Sequence, residues 1–190
     1  VTTQIVRGVH VALLLAISFL FYPITKKYKG KINYIDVGLS ILGLVCILYM
    51  LIDFEDFIYR AVTPELWDMI FGISFLVLIL EATRRSSGWI MPLTCIIFLV
   101  YAYIGPFLPA PWTHRGYDLE RIVGHMYMTL EGIFGVPIDV SSTIIIMFCI
   151  FGSFLTVSGA GKFYVDFAFT AMGSKPTAAG RSVIATSYLL

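Results

Sequence analysis

An all-α, polytopic helical membrane protein is the fold class that this sequence predicts, and composition is the first reason. Hydrophobic residues make up 58% of the 190 and charged residues only 13%, about half of the ~25% that is usual for soluble domains. The apolar residues gather in five runs, each close to the about 17–25 residues that a membrane-spanning helix needs. The formal net charge of +1 lacks the basic excess of a nucleic-acid-binding protein. The expected partner is therefore the lipid bilayer and not a nucleic acid.

The first three spans are predicted from the charges and prolines that interrupt the apolar runs. The first run ends at Pro23 and a loop with four lysines, the second at an acidic loop, and the third at a pair of arginines. The three predicted spans are Gln4–Tyr22, Tyr34–Ile52 and Pro64–Thr83.

Two further spans and two amphipathic segments complete the predicted architecture. The fourth span, Trp89–Leu108, ends at a cluster of prolines, and the fifth, Val140–Ser158, ends at small residues. Apolar residues repeat at helical spacing over Asp118–Phe134, which predicts an amphipathic helix in the outer membrane interface, with packing on the helix bundle as the alternative. Lys162–Met172 is too short to span and predicts a second interfacial helix, and another helix is expected to begin near Thr177.

The distribution of basic residues predicts the orientation, because positive charge in short loops faces the cytoplasm. The lysine loop 26–31, the pair Arg84-Arg85 and the basic residues after the fifth span all fall on one side when the spans alternate. The N-terminus is then outside. Because an outside N-terminus without a signal peptide is natural after an earlier spanning helix, the chain is expected to be an internal fragment.

Charged residues within the spans are the first candidates for function, because burying an unpaired charge in a membrane costs several kcal/mol. Asp36, Asp68 and Glu81 all lie near helix ends, and Glu81 can pair with Arg84 and Arg85 at i+3 and i+4. This pattern indicates an interfacial charge pair that anchors the helix. A proton-relay or substrate role of Asp36 or Glu81 is the alternative.

Three hydroxyl residues, Ser141, Ser142 and Thr143, open the fifth span after Pro137. One interpretation is capping of the helix N-terminus, and the other is the lining of a cavity for substrate or ion. The three histidines and three cysteines lack the spacing of metal ligands, and neither a catalytic motif nor a P-loop is present. Neither a metal cofactor nor an enzymatic activity is therefore expected.

Several short motifs, taken in their order along the chain, resemble a known family of permeases. Each motif by itself consists of small residues and prolines, so the order and the spacing carry the resemblance. The motifs are Glu81–Arg85, Gly88–Pro92, Gly105–Pro109, His114–Tyr117, Glu131–Pro137 and Ser158–Gly161. Together they resemble the fused, DctM-like permease subunit of the TRAP (tripartite ATP-independent periplasmic) transporters, especially of the TAXI type.

The resemblance implies a multi-pass permease of a bacterial inner membrane that takes up organic acids, either dicarboxylates or acids like glutamate and 2-oxoglutarate. A periplasmic solute-binding protein would deliver the acid, and Na⁺ or H⁺ would be the coupling ion. Residues 1–112 would form a scaffold like the family's small subunit, residues 113–190 would begin the transport domain, and the rest of the permease chain would follow. The turn at Gly159 and Gly161 is then expected to be a hinge. A non-transporting scaffold subunit of a larger complex is the alternative function.

Overall fold

The computed structural model describes residues 3–24, 33–172 and 184, and these residues form helices and connecting turns without any strand. A 3₁₀ turn follows α5 at Gly105–Phe107, and π-helical turns follow α6 at Gly124–Met128 and α7 at Ser141–Ile145. The helices are α1 Thr3–Phe21, α2 Tyr34–Ile52, α3 Phe54–Tyr59, α4 Leu66–Ser87, α5 Ile90–Ile104, α6 Leu119–Val123, α7 Val136–Val140, α8 Ile146–Ser158 and α9 Ala160–Met172. The predicted all-helical architecture is confirmed. The helix expected near Thr177 and the lysine loop 26–31 lie outside the described residues.

Five helices of the described chain are long and apolar enough to cross a membrane, as predicted. The first two coincide with the predicted runs within a residue or two, but the third runs on to Ser87 and the fifth already begins at Val136. The third continues because Glu81 and Asp36 form ion pairs with the two arginines beyond Thr83. The fifth starts earlier because Pro137 occupies the first helical turn, where its missing N–H leaves no hydrogen bond unmade. The spans are Thr3–Phe21, Tyr34–Ile52, Leu66–Ser87, Ile90–Phe107 and Val136–Ser158.

The chain forms two compact units, residues 1–142 and 143–190. The first unit contains α1 to α7, and the second contains α8 and α9. The division separates the residues that pack mainly with one another in each unit. The predicted boundary near residue 112, which separates a scaffold from the start of a transport domain, concerns function and stays a prediction.

Aromatic packing between α2, α4 and the turn after α6 forms the centre of the first unit. Tyr127 lies 5.3 Å from Phe75 between ring centroids, and its hydroxyl donates a hydrogen bond to the carbonyl of Cys46 in α2. Burial raises the pKa of Tyr127, so the hydroxyl keeps its proton. Gly72 of α4 permits this packing, because a Cβ at that position would collide with Val123.

The segment predicted as one amphipathic helix over Asp118–Phe134 is shorter than expected and lies on the bundle. Its helical part ends at Thr129, whose backbone is extended (φ −111°, ψ 166°). Val123 and Met128 are almost completely buried. Met128 does not belong to the predicted apolar stripe, but the π-helical turn changes the helical register, so its side chain is buried as well. Of the two placements considered for this segment, the structure shows the second, packing against the bundle.

Within the second unit, α8 and α9 are separated by a sharp turn. Gly159 adopts a left-handed conformation (φ 73°) that ends α8, and α9 begins at the next residue, Ala160. The predicted segment Lys162–Met172 lies within α9, and the rings of Phe163 and Phe167 stack along it with centroids 6.2 Å apart. A turn is therefore present at Gly159, whereas the interfacial position of α9 stays a prediction.

Contacts between polar side chains show which ends of α1, α2 and α4 lie together. Arg85 at the end of α4 contacts Asp36 at the start of α2, and it also donates a hydrogen bond to the carbonyl of Tyr22 after α1. At the opposite end, Asp68 at the start of α4 accepts a hydrogen bond from Tyr49 near the end of α2. The three helices therefore alternate in direction.

This topology can be tested by cysteine labelling in a full-length variant from which the native cysteines have been removed. A cysteine at the exposed position Ser87 and one at the exposed position Asp56 should react with a membrane-impermeant maleimide from opposite faces. From the positive-inside rule, Asp56→Cys should be labelled in intact cells after disruption of the outer membrane, and Ser87→Cys only after lysis. Labelling of both positions from the same face would contradict the alternation.

Gly159 and Gly161 form a matched pair for measuring the turn. Gly159→Ala should lower the free energy of unfolding by about 1–2 kcal/mol, because an L-residue is strained in the left-handed conformation. Gly161→Ala should be neutral or stabilising by up to about 1 kcal/mol, because Gly161 is helical and nothing lies near its absent Cβ. Thermal unfolding in detergent micelles measures both changes. Equal destabilisation by the two variants would show that the turn at Gly159 is not formed as described.

Candidate functional site

A row of polar side chains on α1 faces the connector between α6 and α7. Gln4, Arg7 and His10 are spaced three residues apart, so they lie along one side of the helix. Gln4 is 2% exposed, and its Nε2 donates to the carbonyl of Met128 at 3.1 Å. Arg7 Nη1 donates to the carbonyl of Phe134 at 2.7 Å. Met128 is the last residue of a π-helical turn and Phe134 lies in the loop after it, so a regular helix does not satisfy these two carbonyls.

The same row continues to the start of the fifth span. The guanidinium of Arg7 pairs with Asp139 at 2.9 Å, and His10 Nε2 lies 3.0 Å from the hydroxyl of Ser141. In this way α1 holds the connector at four points between Met128 and Ser141. Neither Gln4 nor Arg7 was a candidate at the level of sequence. Their spacing with His10 on a helix that is otherwise apolar was the signal that could have identified them.

The hydroxyl residues predicted at this position have separate partners. Ser141 faces α1 through His10, whereas the hydroxyl of Ser142 donates to the carbonyl of Asp139 in its own helix at 3.1 Å. Thr143 follows in the same π-helical turn and is exposed. The capping interpretation is wrong, because the helix begins at Val136 with Gly135 as its N-cap. A cavity-lining role of the three hydroxyls stays a prediction.

A second cluster of charges joins α1, α2 and α4 at their other ends. Glu81 accepts hydrogen bonds from both arginines that follow it, at 2.7 Å from Arg84 Nε and 2.7 Å from Arg85 Nε. Arg85 extends further to Asp36 Oδ1 at 2.6 Å, and its guanidinium lies 5.0 Å above the ring of Phe19. The predicted charge pair is therefore part of a network of four charged residues on two helices, which also contacts α1.

Burial makes this network structurally important. The side chains of Arg85 and Asp36 are 2% and 3% exposed, whereas those of Arg84 and Glu81 are about one quarter exposed. Two acids and two bases cancel in net charge, so the network avoids the cost of an isolated ion in apolar surroundings. One atom on each side of the central pair, Asp36 Oδ2 and Arg85 Nη2, has no hydrogen-bond partner among the described residues.

A third cluster surrounds Asp68 near the beginning of α4. This carboxylate is fully buried and accepts hydrogen bonds from Tyr49 Oη at 2.7 Å, from Arg60 Nε at 3.1 Å and from the backbone N–H of Glu65 at 3.0 Å. The hydrogen bond to Asp68 raises the pKa of Arg60, which stays charged. The sequence alone did not indicate that Arg60 pairs with Asp68, which lies eight residues further along the chain.

The three clusters have a shared chemical character. Each carboxylate in them is bound by a guanidinium, and the four arginines used are Arg7, Arg60, Arg84 and Arg85. Such pairs hold helices in position, because each buried charge keeps its counter-charge in contact. No group of three or more potential metal-ligating side chains occurs in residues 3–24 and 33–172.

The buried network predicts a large difference between its two arginines. Arg85→Met should lower the free energy of unfolding by about 3–5 kcal/mol, because Asp36 is left buried without its counter-charge. Arg84→Met should cost about 1 kcal/mol or less, because Arg84 is partly exposed and Glu81 keeps Arg85. Thermal or urea unfolding of the detergent-solubilised protein measures these changes.

The double variant Arg85→Met with Asp36→Leu provides the internal control. It removes both buried charges and should recover most of the stability lost in the single variant. A double variant with a lower free energy of unfolding than Arg85→Met alone would show that the two side chains do not act as a coupled pair.

Comparison with known proteins gives one result that bears on function. The family described as "Tripartite ATP-independent periplasmic transporter, DctM component" matches residues 74–190, which is more than half of the chain. No curated protein matches the chain significantly, and no solved structure does so either. The match begins within α4 and covers the arginine pair, α5, the connector and the fifth span. The chain therefore belongs to the DctM family of TRAP transporter membrane components.

Proposed function

We propose that this chain is part of the permease of a secondary transporter in a bacterial inner membrane, which takes up organic acids delivered by a periplasmic solute-binding protein. The substrate class is dicarboxylates or acids like glutamate and 2-oxoglutarate, and a gradient of Na⁺ or H⁺ drives uptake. The permease would be of the fused TAXI type. The observation that carries the proposal is the match to the DctM component over residues 74–190.

The packing of the first unit supports a scaffold role within such a permease. The almost fully buried charges that the structure describes in this unit, Asp36, Asp68 and Arg85, lie in ion pairs. In addition, Gln4, Arg7 and His10 hold α1 against the connector. A domain built in this way resists relative movement of its helices. The moving part of an elevator-like transporter is then expected to include the second unit.

The hydroxyls of Ser141, Ser142 and Thr143 are proposed to line the cavity for substrate or ion. The helix that carries them contains a π-helical turn at Ser141–Ile145, and such turns occur frequently at functional sites because they free backbone carbonyls. The turn at Gly159 is proposed as a hinge, since its left-handed backbone separates α8 from α9. Broken helices with exposed carbonyls are the usual ion and substrate sites of secondary transporters.

Uptake in proteoliposomes tests the proposal. The full-length permease and its solute-binding protein should accumulate radiolabelled dicarboxylate, glutamate or 2-oxoglutarate when a Na⁺ or H⁺ gradient is imposed. Collapse of the gradient with an ionophore should abolish accumulation, because secondary transport has no other source of energy. Absence of gradient-dependent uptake across a broad panel of acids would favour the alternative function, a non-transporting scaffold subunit.

Substitution of the hydroxyls within the same assay tests the cavity. Ser141→Ala and Ser142→Ala should each lower the rate of uptake at low substrate concentration by at least about tenfold, because one hydrogen bond to a charged ligand contributes about 1.5–3 kcal/mol. Ser153→Ala is the matched control, since Ser153 lies on the same membrane span and its hydroxyl donates to the carbonyl of Cys149 in the preceding helical turn. Equal uptake by all three variants would exclude the two hydroxyls from the cavity.

A further inference from the structure

Two arginines differ from all the others that the structure describes. Arg7, Arg60, Arg84 and Arg85 form ion pairs with carboxylates. Arg115 and Arg121 form no such pair within residues 3–24 and 33–172, and both are exposed. They line the same pocket, which has a volume of about 300 Å³ and lies between the end of α5 and the beginning of α6. The remaining lining residues are Tyr103, Pro106, Phe107, Gly116, Tyr117 and Asp118.

Hydrogen bonds hold the shape of this pocket, called here the basic-aromatic pocket, before any partner binds. His114 Nε2 donates to the carbonyl of Tyr101 at 3.1 Å, and His114 Nδ1 accepts from the backbone N–H of Gly116 at 3.0 Å. The two bonds together require the neutral imidazole with its proton on Nε2. The guanidinium of Arg121 is held 5.4 Å from the ring centre of Tyr117. A binding partner would therefore not pay the cost of ordering this loop.

A patch of opposite charge lies at the same end of the first unit. Asp53, Glu55 and Asp56 surround a shallow depression between α2 and α3, and none of the three forms an ion pair with another described residue. The start of α4 connects the two patches structurally, since its Asp68 binds Tyr49 of α2 and its Gly72 packs against Val123 of α6. Under the predicted orientation this end faces the periplasm.

From this arrangement we infer that the basic-aromatic pocket and the acidic patch together form the docking surface for the soluble partner, with an acidic side chain of the solute-binding protein entering the pocket beside Arg115 and Arg121. The inference rests on the proposed function, because it names the surface through which delivery takes place. Exposed tyrosine and arginine side chains around a preformed depression are typical of the centre of a protein interface. Two patches of opposite sign fix the orientation of a partner better than one patch can.

The alternative occupant of the pocket is the phosphate of a lipid headgroup. A lipid would be attracted to Arg115 and Arg121, but it would gain nothing from Asp53, Glu55 and Asp56. A folded protein can present both signs of charge to the two patches. Charge complementarity over the whole end of the unit therefore favours the protein partner.

Binding of the purified solute-binding protein to the full-length permease in lipid nanodiscs tests this inference. Arg115→Glu combined with Arg121→Glu should weaken binding at least about tenfold, mainly through a slower association rate, and should reduce the dependence of that rate on salt. Asp53→Lys combined with Asp56→Lys should weaken binding in the same direction. Glu131→Lys is the control, because Glu131 is exposed on the connector and belongs to neither patch.

The outcomes separate this inference from the proposed function. If the unaltered permease neither binds the solute-binding protein nor supports uptake, the proposed function fails. If it binds and transports normally and the double arginine variant binds equally well, the docking surface is wrong while the function stands. Loss of co-purifying anionic phospholipid from the arginine variant, measured by mass spectrometry with unchanged protein binding, would also overturn the inference. Unchanged thermal unfolding of each variant shows that the fold is intact.

Discussion

Arg85 holds three helices of the first unit together, and most of the architecture of that unit depends on it. Its guanidinium forms ion pairs with Asp36 of α2 and Glu81 of α4. It also lies over the ring of Phe19 in α1 and donates a hydrogen bond to the carbonyl of Tyr22. A buried charge in apolar surroundings is tolerated only with its counter-charge in contact. The positions and rotations of the three helices are therefore restricted to those in which this contact is made.

The opposite end of the unit obeys the same constraint with different partners. There Asp68 is the buried charge, and Arg60 and Tyr49 satisfy it. Along α1, Gln4 and Arg7 supply hydrogen bonds to carbonyls that a π-helical turn and a loop leave without helical partners. Irregular backbone can be kept near the membrane because neighbouring side chains complete its hydrogen bonds. The position of α1 and the irregular backbone of the connector therefore depend on each other.

For the family and its transport role, the most informative contrast is between paired and unpaired charge. Four arginines form ion pairs with carboxylates within the first unit and hold its helices together. Arg115 and Arg121 remain available at the surface. A TRAP permease must meet a soluble protein at one face of the membrane, and unpaired charge at that face is the feature that long-range attraction requires. Among the described residues, the arginines in ion pairs are therefore buried or half-buried, whereas the two without an ion pair are exposed.

The sequence by itself determined the number of spans, their approximate limits and the helical class, because hydropathy over a bilayer thickness is a local property of the chain. It also predicted that Glu81 can pair with Arg84 and Arg85, since residues three and four apart share a helix face. Only the tertiary structure decided that Asp36 joins that pair, that α1 holds the connector and that Asp118–Phe134 packs on the bundle. These contacts join residues up to 132 positions apart, and their formation depends on how the helices are rotated against one another. The spacing of apolar residues along the chain does not indicate that rotation.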